Sequence, residues 1–236
     1  MENETTSPQP LEWHEGDMPY STTFGDHFYC RTDGRAECDH VFIDANHLHE
    51  RWAAGGECVI GELGFGTGLN FCETWRQWSA FQGTTPTHGS LHFISFELFP
   101  MDRESIKRAL IQWPILEHER ERLAAAWPDT PSGIVSLEFD DNVRLSVICG
   151  DALSNLATSQ QTFDAWYLDG FAPSRNPDMW SLELMQAVYD HTRPGGSFGT
   201  YAAAGFVRRN LQTAGFKVER RPGFAGKREM LCGIKD

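Results

Sequence analysis

The chain has 236 residues, of which 40% are hydrophobic, and a formal net charge of −13. This length fits one α/β domain with a large core, and no apolar run approaches the ~18 residues that a transmembrane helix needs. Met1 to Pro10 are polar and lack the apolar core of a signal peptide, so we expect a cytoplasmic protein with a frayed N-terminus.

The first part of the chain predicts an N-terminal extension, residues 1–52, packed on a main domain at 53–236. Its short β-like pieces are separated by a turn and followed by a helix-like stretch. These elements are strands around Ser21–Arg31 and His40–Asp44, a turn at Thr32–Arg35 and a helix at Ala45–Ala54.

Six cysteines show no C-x-x-C pair, which favours buried free thiols in this chain. One cluster contains metal-ligand side chains, but its spacing matches no standard zinc pattern. We therefore expect ordinary hairpin residues and no metal. The cluster consists of His27, Cys30, Cys38 and His40.

A glycine-rich turn at Gly64-Phe65-Gly66-Thr67-Gly68 organises the main domain. The short apolar run Val59–Leu63 predicts a strand before it, and Asn70–Trp75 predicts the start of a helix that runs to about Phe81. Glycine lets the backbone approach a ligand closely because no Cβ is in the way. The combination indicates a nucleotide-type site, with a glycine turn that binds nothing as the alternative.

The glycine spacing does not fit the dinucleotide pattern G-x-G-x-x-G, whose last position would fall on Leu69 or Phe71. Instead, Glu62 stands two residues before the first glycine. A carboxylate there would repel a pyrophosphate but suits a cation such as S-adenosylmethionine, with its ammonium and sulfonium groups. A nicotinamide-dependent oxidoreductase remains a disfavoured alternative.

Three later strands deliver carboxylates to the edge of the sheet where ligands of doubly wound folds bind. Glu97 is predicted to accept hydrogen bonds from ribose hydroxyls. Asp151 and Ala152 are predicted to contact adenine, unless Asp151 only caps the next helix. Asp169 faces the expected place of methyl transfer. The three strands are Leu91–Glu97, Val143–Cys149 and Phe163–Leu168.

The remaining elements continue the alternation of helices and strands that is typical of α/β folds. Pro114 interrupts a long helical region from Met101 to Trp127. The other predicted elements are a loop at Gln82–Ser90, helices at Asp178–His191 and Gly205–Ala214, a strand at Gly195–Ala203, and a closing hairpin of Phe216–Arg221 with Glu229–Ile234.

Charge is unevenly distributed along the chain. Phe206–Asp236 carries +5, so the other 205 residues carry −18. The negative total argues against a nucleic-acid partner, because phosphate binding needs Lys and Arg. A basic C-terminal end on an acidic body favours an RNA backbone as ligand, and a solvated charged face explains the composition equally well.

Several stretches, in order along nearly the whole chain, carry a family resemblance. They are Glu62–Phe71, Asp169–Trp180 and Gly226–Met230, with shorter matches at Leu11–Trp13, Pro19–Ser21 and Val41–Phe42. The chain resembles the methyltransferase domain of the MnmC tRNA-modifying enzymes. This resemblance implies a class I S-adenosylmethionine-dependent methyltransferase of α/β, Rossmann-like fold, with a seven-stranded, mostly parallel sheet and an N-terminal β-hairpin extension.

The resemblance also implies an activity. The methyl donor is S-adenosylmethionine, and the acceptor is the amine of 5-aminomethyl-2-thiouridine at the tRNA wobble position, which becomes 5-methylaminomethyl-2-thiouridine. In bifunctional members a flavin-dependent oxidoreductase half generates that amine. This chain has no room for such a half, so we expect a colourless protein without FAD, and an oxidoreductase, separate or fused, as a partner. A small-molecule amine acceptor and a non-catalytic binding module are the alternatives.

Site residues follow from these motifs. We expect Asp169 to accept a hydrogen bond and then a proton from the amine, or only to bind the cofactor. Phe171 flanks the amine, and backbone carbonyls as far as Pro173 aim its lone pair. Family members often carry two adjacent acids where this chain has Gly25 and Asp26, so Asp26 alone is available to line the site. Predicted cofactor ligands are Glu62, Gly64, Phe65, Gly66, Gly68, Asn70, Glu97, Asp151, Ala152 and Asp169. Predicted tRNA-binding residues are Lys227 and Arg228, followed by Arg208, Arg209 and Arg175.

Overall fold

The computed structural model describes residues 10–85 and 88–236. The described part of the chain starts with a small antiparallel sheet of three strands, β1 (Leu11–His14), β2 (Met18–Ser21) and β3 (Asp26–His27). This sheet confirms the predicted hairpin extension.

The predicted strand at His40–Asp44 is wrong, because this segment is helical. Asp33 caps α1 (Gly34–Cys38) by accepting a hydrogen bond from the Ala36 amide, and a π-helical turn, Asp39–Ile43, continues directly from it. The apolar residues at 41–43 are buried in this turn, where the ring of Phe42 stacks on Tyr167 with centroids 4.8 Å apart. A second helix, α2 (Leu48–Ala54), then leads to the main sheet.

The main sheet has eight strands within the described residues. Its order is β10-β11-β9-β8-β4-β5-β7-β6, and the five neighbours from β9 to β7 are parallel. The order reverses at β4, which pairs with β5 on one side and β8 on the other, so their carboxyl ends surround one crevice. The strands are β4 (Glu57–Leu63), β5 (Ser90–Glu97), β6 (Ile134–Phe139), β7 (Val143–Cys149), β8 (Phe163–Leu168), β9 (Thr192–Thr200), β10 (Lys217–Arg221) and β11 (Met230–Ile234).

The mostly parallel α/β architecture is confirmed, but the sheet contains one strand more than the seven expected. The additional strand is β6, which runs antiparallel to β7 at the edge of the sheet, with Leu137 opposite Leu145. The predicted closing hairpin is present as β10 and β11, which pair antiparallel.

Helices cover both faces of the sheet. Buried residues of α3, α4 and α5 pack on one face together with α1 and α2, and those of α6, α7 and α8 pack on the other. Pro114 starts a short 3-10 turn that separates α4 from α5. These helices are α3 (Leu69–Thr84), α4 (Arg103–Ala109), α5 (Glu117–Ala126), α6 (Ala152–Thr158), α7 (Leu182–Asp190) and α8 (Gly205–Ala214).

Two other expectations concern the loop and the membrane. The predicted loop at Gln82–Ser90 begins later, because α3 continues to Thr84, and residues 86–87 of it lie outside the described residues.

Across the described ranges, we find no helix with the length and apolar character needed to span a bilayer.

Candidate active site

The glycine loop follows β4 and packs closely against the end of β8. Gly64 has φ 92°, and a Cβ there would lie 2.4 Å from the carbonyl oxygen of Asp169. Gly68 has φ 77° and precedes α3. Both conformations are ones that glycine adopts without strain. The Phe65 ring stacks on Trp127 at 5.1 Å in the core, so its backbone is the part that faces a ligand.

Two carboxylates share one amide in the crevice. Asn70 Nδ2 donates to Glu62 Oε1 at 2.9 Å and to Asp169 Oδ2 at 2.6 Å. Ser95 Oγ also donates to Glu62, at 2.6 Å. Burial raises the pKa of Glu62 to about 8 and the pKa of Asp169 to about 7, although the hydrogen bonds to each oppose the shift. Burial thus favours the protonated form of both carboxyl groups relative to water.

Glu62 itself is fully buried and does not line the cavity described below. Its role as a direct cofactor ligand stays a prediction, and the contacts of this structure give it a supporting position. Its carboxylate holds the amide of Asn70, and Asn70 lines the cavity.

Glu97 joins the end of β5 to the glycine loop. Its two carboxylate oxygens accept hydrogen bonds from the Gly66 amide at 2.9 Å and the Phe99 amide at 2.8 Å. Each oxygen has a further lone pair for a ligand hydroxyl. Asp151 caps α6, because its Oδ1 accepts from the amide and the hydroxyl of Ser154 at 2.8 and 2.6 Å. Glu97 and Asp151 both line the cavity.

The turn after β8 is held at three of its backbone groups. Asp26 Oδ2 accepts from the Ala172 amide at 3.1 Å, and the Tyr201 hydroxyl donates to the Gly170 carbonyl at 2.5 Å. Trp180 Nε1 donates to the Phe171 carbonyl at 3.0 Å. The turn that carries Asp169 is therefore anchored by the N-terminal extension, by the residue after β9 and by the segment before α7.

Aromatic rings surround the side chain of Phe171. Its ring stacks on Phe24 with centroids 4.7 Å apart and meets the edge of Phe28 at 5.0 Å. All three residues line the cavity, as does Ala172, but Pro173 does not. The catalytic role of Pro173 stays a prediction, and the cavity lining resumes after it at Asn176.

These elements enclose a cavity of about 950 Å³, large enough for a nucleoside-sized ligand. Its lining is rich in carboxylates, as a cationic ligand requires. Gly64, Gly66, Asn70 and Ala152 contribute to the wall, whereas Gly68 lies outside it. The acidic lining residues are Asp26, Glu37, Glu97, Asp151, Asp169, Asp178 and Glu183.

Lys227 is exposed, but it also lines the cavity. Its Nζ is 2.5 Å from Glu37 Oε1 and 4.7 Å from the centre of the Tyr201 ring. Sequence reasoning gave Glu37 no role. Tyr201 also was missed, because the predicted strand Gly195–Ala203 contains it, whereas β9 ends at Thr200 and places Tyr201 at the edge of the sheet where the neighbouring parallel strands end.

The other basic residues at the C-terminal end are divided between paired and exposed ones. Arg220 contacts Glu229 at 3.4 Å, and Lys217 contacts Asp236 at 2.6 Å. Arg208 is half-buried. The predicted tRNA-binding residues that are exposed are Arg175, Arg209, Lys227 and Arg228. In the part of the chain that the structure describes, no group of three or more His, Cys, Asp and Glu side chains is arranged to hold a metal ion.

Three features together define a class I methyltransferase that uses S-adenosylmethionine. They are the strand order, the glycine loop after the central strand and the acidic crevice. The cavity fits this cofactor, because its glycine loop leaves no space for side chains and its wall is acidic. The chain belongs to the S-adenosyl-L-methionine-dependent methyltransferase family whose model matches residues 114–236. It is therefore a methyltransferase and not a nicotinamide-dependent oxidoreductase.

Two curated relatives cover almost all of this chain. Both are named tRNA 5-methylaminomethyl-2-thiouridine biosynthesis bifunctional protein MnmC. The protein of Chromohalobacter salexigens is 43% identical to this chain over 233 residues, and that of Methylobacillus flagellatus is 43% identical over 230 residues. These alignments cover 96% of this chain but 33% and 35% of the relatives, so the chain spans about one third of their length. The crystal structure of MNMC2 from Aquifex aeolicus has the same fold, with a TM-score of 0.75 at 22% identity, over 98% of this chain and 72% of that one.

Proposed function

We propose that this enzyme transfers a methyl group from S-adenosylmethionine to the amine of 5-aminomethyl-2-thiouridine at the wobble position of tRNA. The relatives that are 43% identical to this chain are named for the biosynthesis of the methylated product of that reaction. The observation that carries the proposal is the carboxylate of Asp169, which lies at the cavity wall in a turn held at three points.

The acceptor dictates what the site must do. An alkylamine with a pKa of about 10 is mostly protonated at neutral pH and has no lone pair for attack. Burial raises the pKa of Asp169 to about 7, which is close to the working pH and suits a general base. Asp169 accepts the proton, and Asn70 Nδ2 fixes the orientation of its carboxylate. S-adenosylmethionine, when bound, supplies the methyl group on a sulfonium that already carries its leaving group.

Positioning of the amine and the cofactor supplies the remaining rate enhancement. Carbonyl groups of the turn from Asp169 to Ala172 aim the amine lone pair, and the Phe171 ring flanks the amine. Gly64, Gly66 and Asn70 hold the methionine part of the cofactor. At the other end of the cavity, Glu97 receives the ribose hydroxyls, and Asp151 with Ala152 contacts the adenine.

The tRNA is bound by exposed arginines of this acidic protein. Arg228, Arg209 and Arg175 hold phosphates, and Arg208 supports them from its half-buried position. We also propose that an oxidoreductase with FAD supplies the amine, as the family resemblance implies. The curated relatives are named bifunctional, and about two thirds of their length lies outside the match.

Nucleoside mass spectrometry tests this function directly. tRNA bearing 5-aminomethyl-2-thiouridine is incubated with the protein and S-adenosylmethionine, then digested and compared with a sample that lacks the cofactor. The expected result is a gain of one methyl group on that nucleoside. No gain from a protein that binds S-adenosylmethionine, as measured by calorimetry, means that the acceptor is wrong, and a small-molecule amine becomes the favoured substrate.

A further inference from the structure

The ammonium group of Lys227 lies in a small subsite of the cavity. One side is the Glu37 carboxylate, 2.5 Å away, and another is the face of the Tyr201 ring, 4.7 Å away. All three residues line the same cavity as Asp169. A carboxylate and an aromatic face are the two groups that proteins combine to bind an alkylammonium ion.

The lysine that fills this subsite comes from an exposed loop. Residues 225–228, in the connection between β10 and β11, are exposed, whereas Glu37 is only 8% exposed. A lysine in such a loop normally keeps its charge in water. Here its side chain, which is 40% exposed, pairs with the Glu37 side chain, which is 11% exposed and costly to leave unpaired.

The subsite is next to the proposed base. The Tyr201 hydroxyl donates to the carbonyl of Gly170, the residue after Asp169. The charges of Glu37 and Lys227 also shift the pKa of Asp169, Glu37 upward and Lys227 downward. A primary amine in this subsite is therefore in the same cavity as the group that must take its proton, beside the turn that carries this group.

We propose that Glu37 and Tyr201 form the subsite for the ammonium group of the acceptor, and that Lys227 occupies it until the acceptor arrives. The inference rests on the proposed function, whose acceptor ends in a CH2–NH3+ group, as lysine does. Exchange of one primary ammonium ion for another keeps Glu37 paired at each stage. Once displaced, Lys227 lies at the mouth of the cavity, where it pairs with the RNA backbone.

The test compares equilibrium binding of two tRNAs that differ only in the aminomethyl group at C5 of the wobble uridine. The readout is the ratio of their dissociation constants, Kd without the amine divided by Kd with it. We expect a small preference for the amine in the unaltered protein, because the amine must displace Lys227. Lys227→Met removes the competitor, so the ratio rises to about tenfold or more, even if both tRNAs bind more weakly. Glu37→Gln removes the charge that holds the amine, so the ratio falls to about one.

Arg228→Met is the matched control, since it removes a neighbouring positive charge that is not paired with Glu37. Both tRNAs should bind this variant more weakly, with an unchanged ratio. Tyr201→Leu, which removes the aromatic face, lowers the ratio, whereas Tyr201→Phe retains the ring and the ratio. Circular dichroism establishes that each variant is folded.

Three results would overturn the inference. The first is an unchanged ratio in folded Glu37→Gln. The second is a lower ratio in Lys227→Met, which would mean that Lys227 helps to hold the amine. The third is about tenfold weaker S-adenosylmethionine binding by Glu37→Gln, which would assign Glu37 to the ammonium group of the cofactor. The ratio of dissociation constants is measured without turnover. Absence of methyl transfer would therefore refute the proposed function, and the ratio would still show whether Glu37 and Tyr201 bind the ammonium group.

Discussion

Asp169→Asn separates a general base from a cofactor ligand. The Asp169 carboxylate accepts a 2.6 Å hydrogen bond from Asn70 Nδ2, and an asparagine oxygen can accept the same bond. The shape of the site is thus retained, but the new side chain cannot take a proton from the amine. We expect kcat to fall by ~10²–10⁴, whereas the Kd for S-adenosylmethionine changes by less than about threefold.

The same substitution has a predictable effect on stability. Burial raises the pKa of Asp169 from 3.8 to about 7, so the folded state binds this proton more tightly than the unfolded state. The resulting stabilisation is present at low pH and is lost as the pH rises from about 4 to about 7. The loss is ~1.4 kcal/mol per pH unit, or at most ~4 kcal/mol over the interval. The neutral amide has no such loss, so the variant gains stability relative to the unaltered protein as the pH rises.

Three measurements check this prediction. Initial rates of methyl transfer give kcat, calorimetry gives the Kd for S-adenosylmethionine, and urea denaturation at pH 5 and pH 8 gives the two free energies of unfolding. Normal turnover with weakened cofactor binding would refute the general-base assignment. The difference in free energy of unfolding between the variant and the unaltered protein should change between pH 5 and pH 8. If it is the same at both, burial does not raise the pKa of Asp169.

Other substitutions test the loop, the turn and the surface. Gly64→Ala should abolish S-adenosylmethionine binding in calorimetry or prevent folding, because its Cβ would lie 2.4 Å from the Asp169 carbonyl oxygen. The control Gly83→Ala, in α3 with open space around it, should raise the free energy of unfolding by ~0.5–1 kcal/mol. Asp26→Ala removes the carboxylate that holds the Ala172 amide, so kcat should fall about tenfold with little change in Kd for the cofactor; an unchanged kcat would show that the turn does not need this anchor. Arg228→Glu should weaken tRNA binding and lower the slope of log Kd against log salt concentration by about one, and an identical slope would place Arg228 outside the interface.

The part of the site closest to β4 was predictable because its signals are local. A strand, three spaced glycines and a helix follow one another within residues 59–75, and β4 and the loop lie where the pattern places them. Glu97, Asp151 and Asp169 were identified by position alone, since each follows a buried strand and parallel strands end at one edge. All three line the cavity.

The remaining features depend on contacts between distant parts of the chain. His40–Asp44 has the apolar content of a strand, but its burial against Tyr167 is a tertiary contact that the local pattern does not contain. The position of Lys227 is fixed by Glu37, which is 190 residues away in sequence. Composition identified Lys227 as one charge in a basic segment and gave no sign that its partner is a buried carboxylate.

The N-terminal extension is part of the active site and not only a cover for it. Phe24 and Phe28 pack around Phe171, and Asp26 holds the amide of Ala172, so the extension supplies both a wall and an anchor to the turn after β8. Because the turn is exposed to the cavity, it could not keep its geometry through burial alone. A protein reduced to residues 53–236 would also lose Trp52 and Phe42 from the core. We therefore expect catalysis in this chain to depend on residues that precede the cofactor-binding motif.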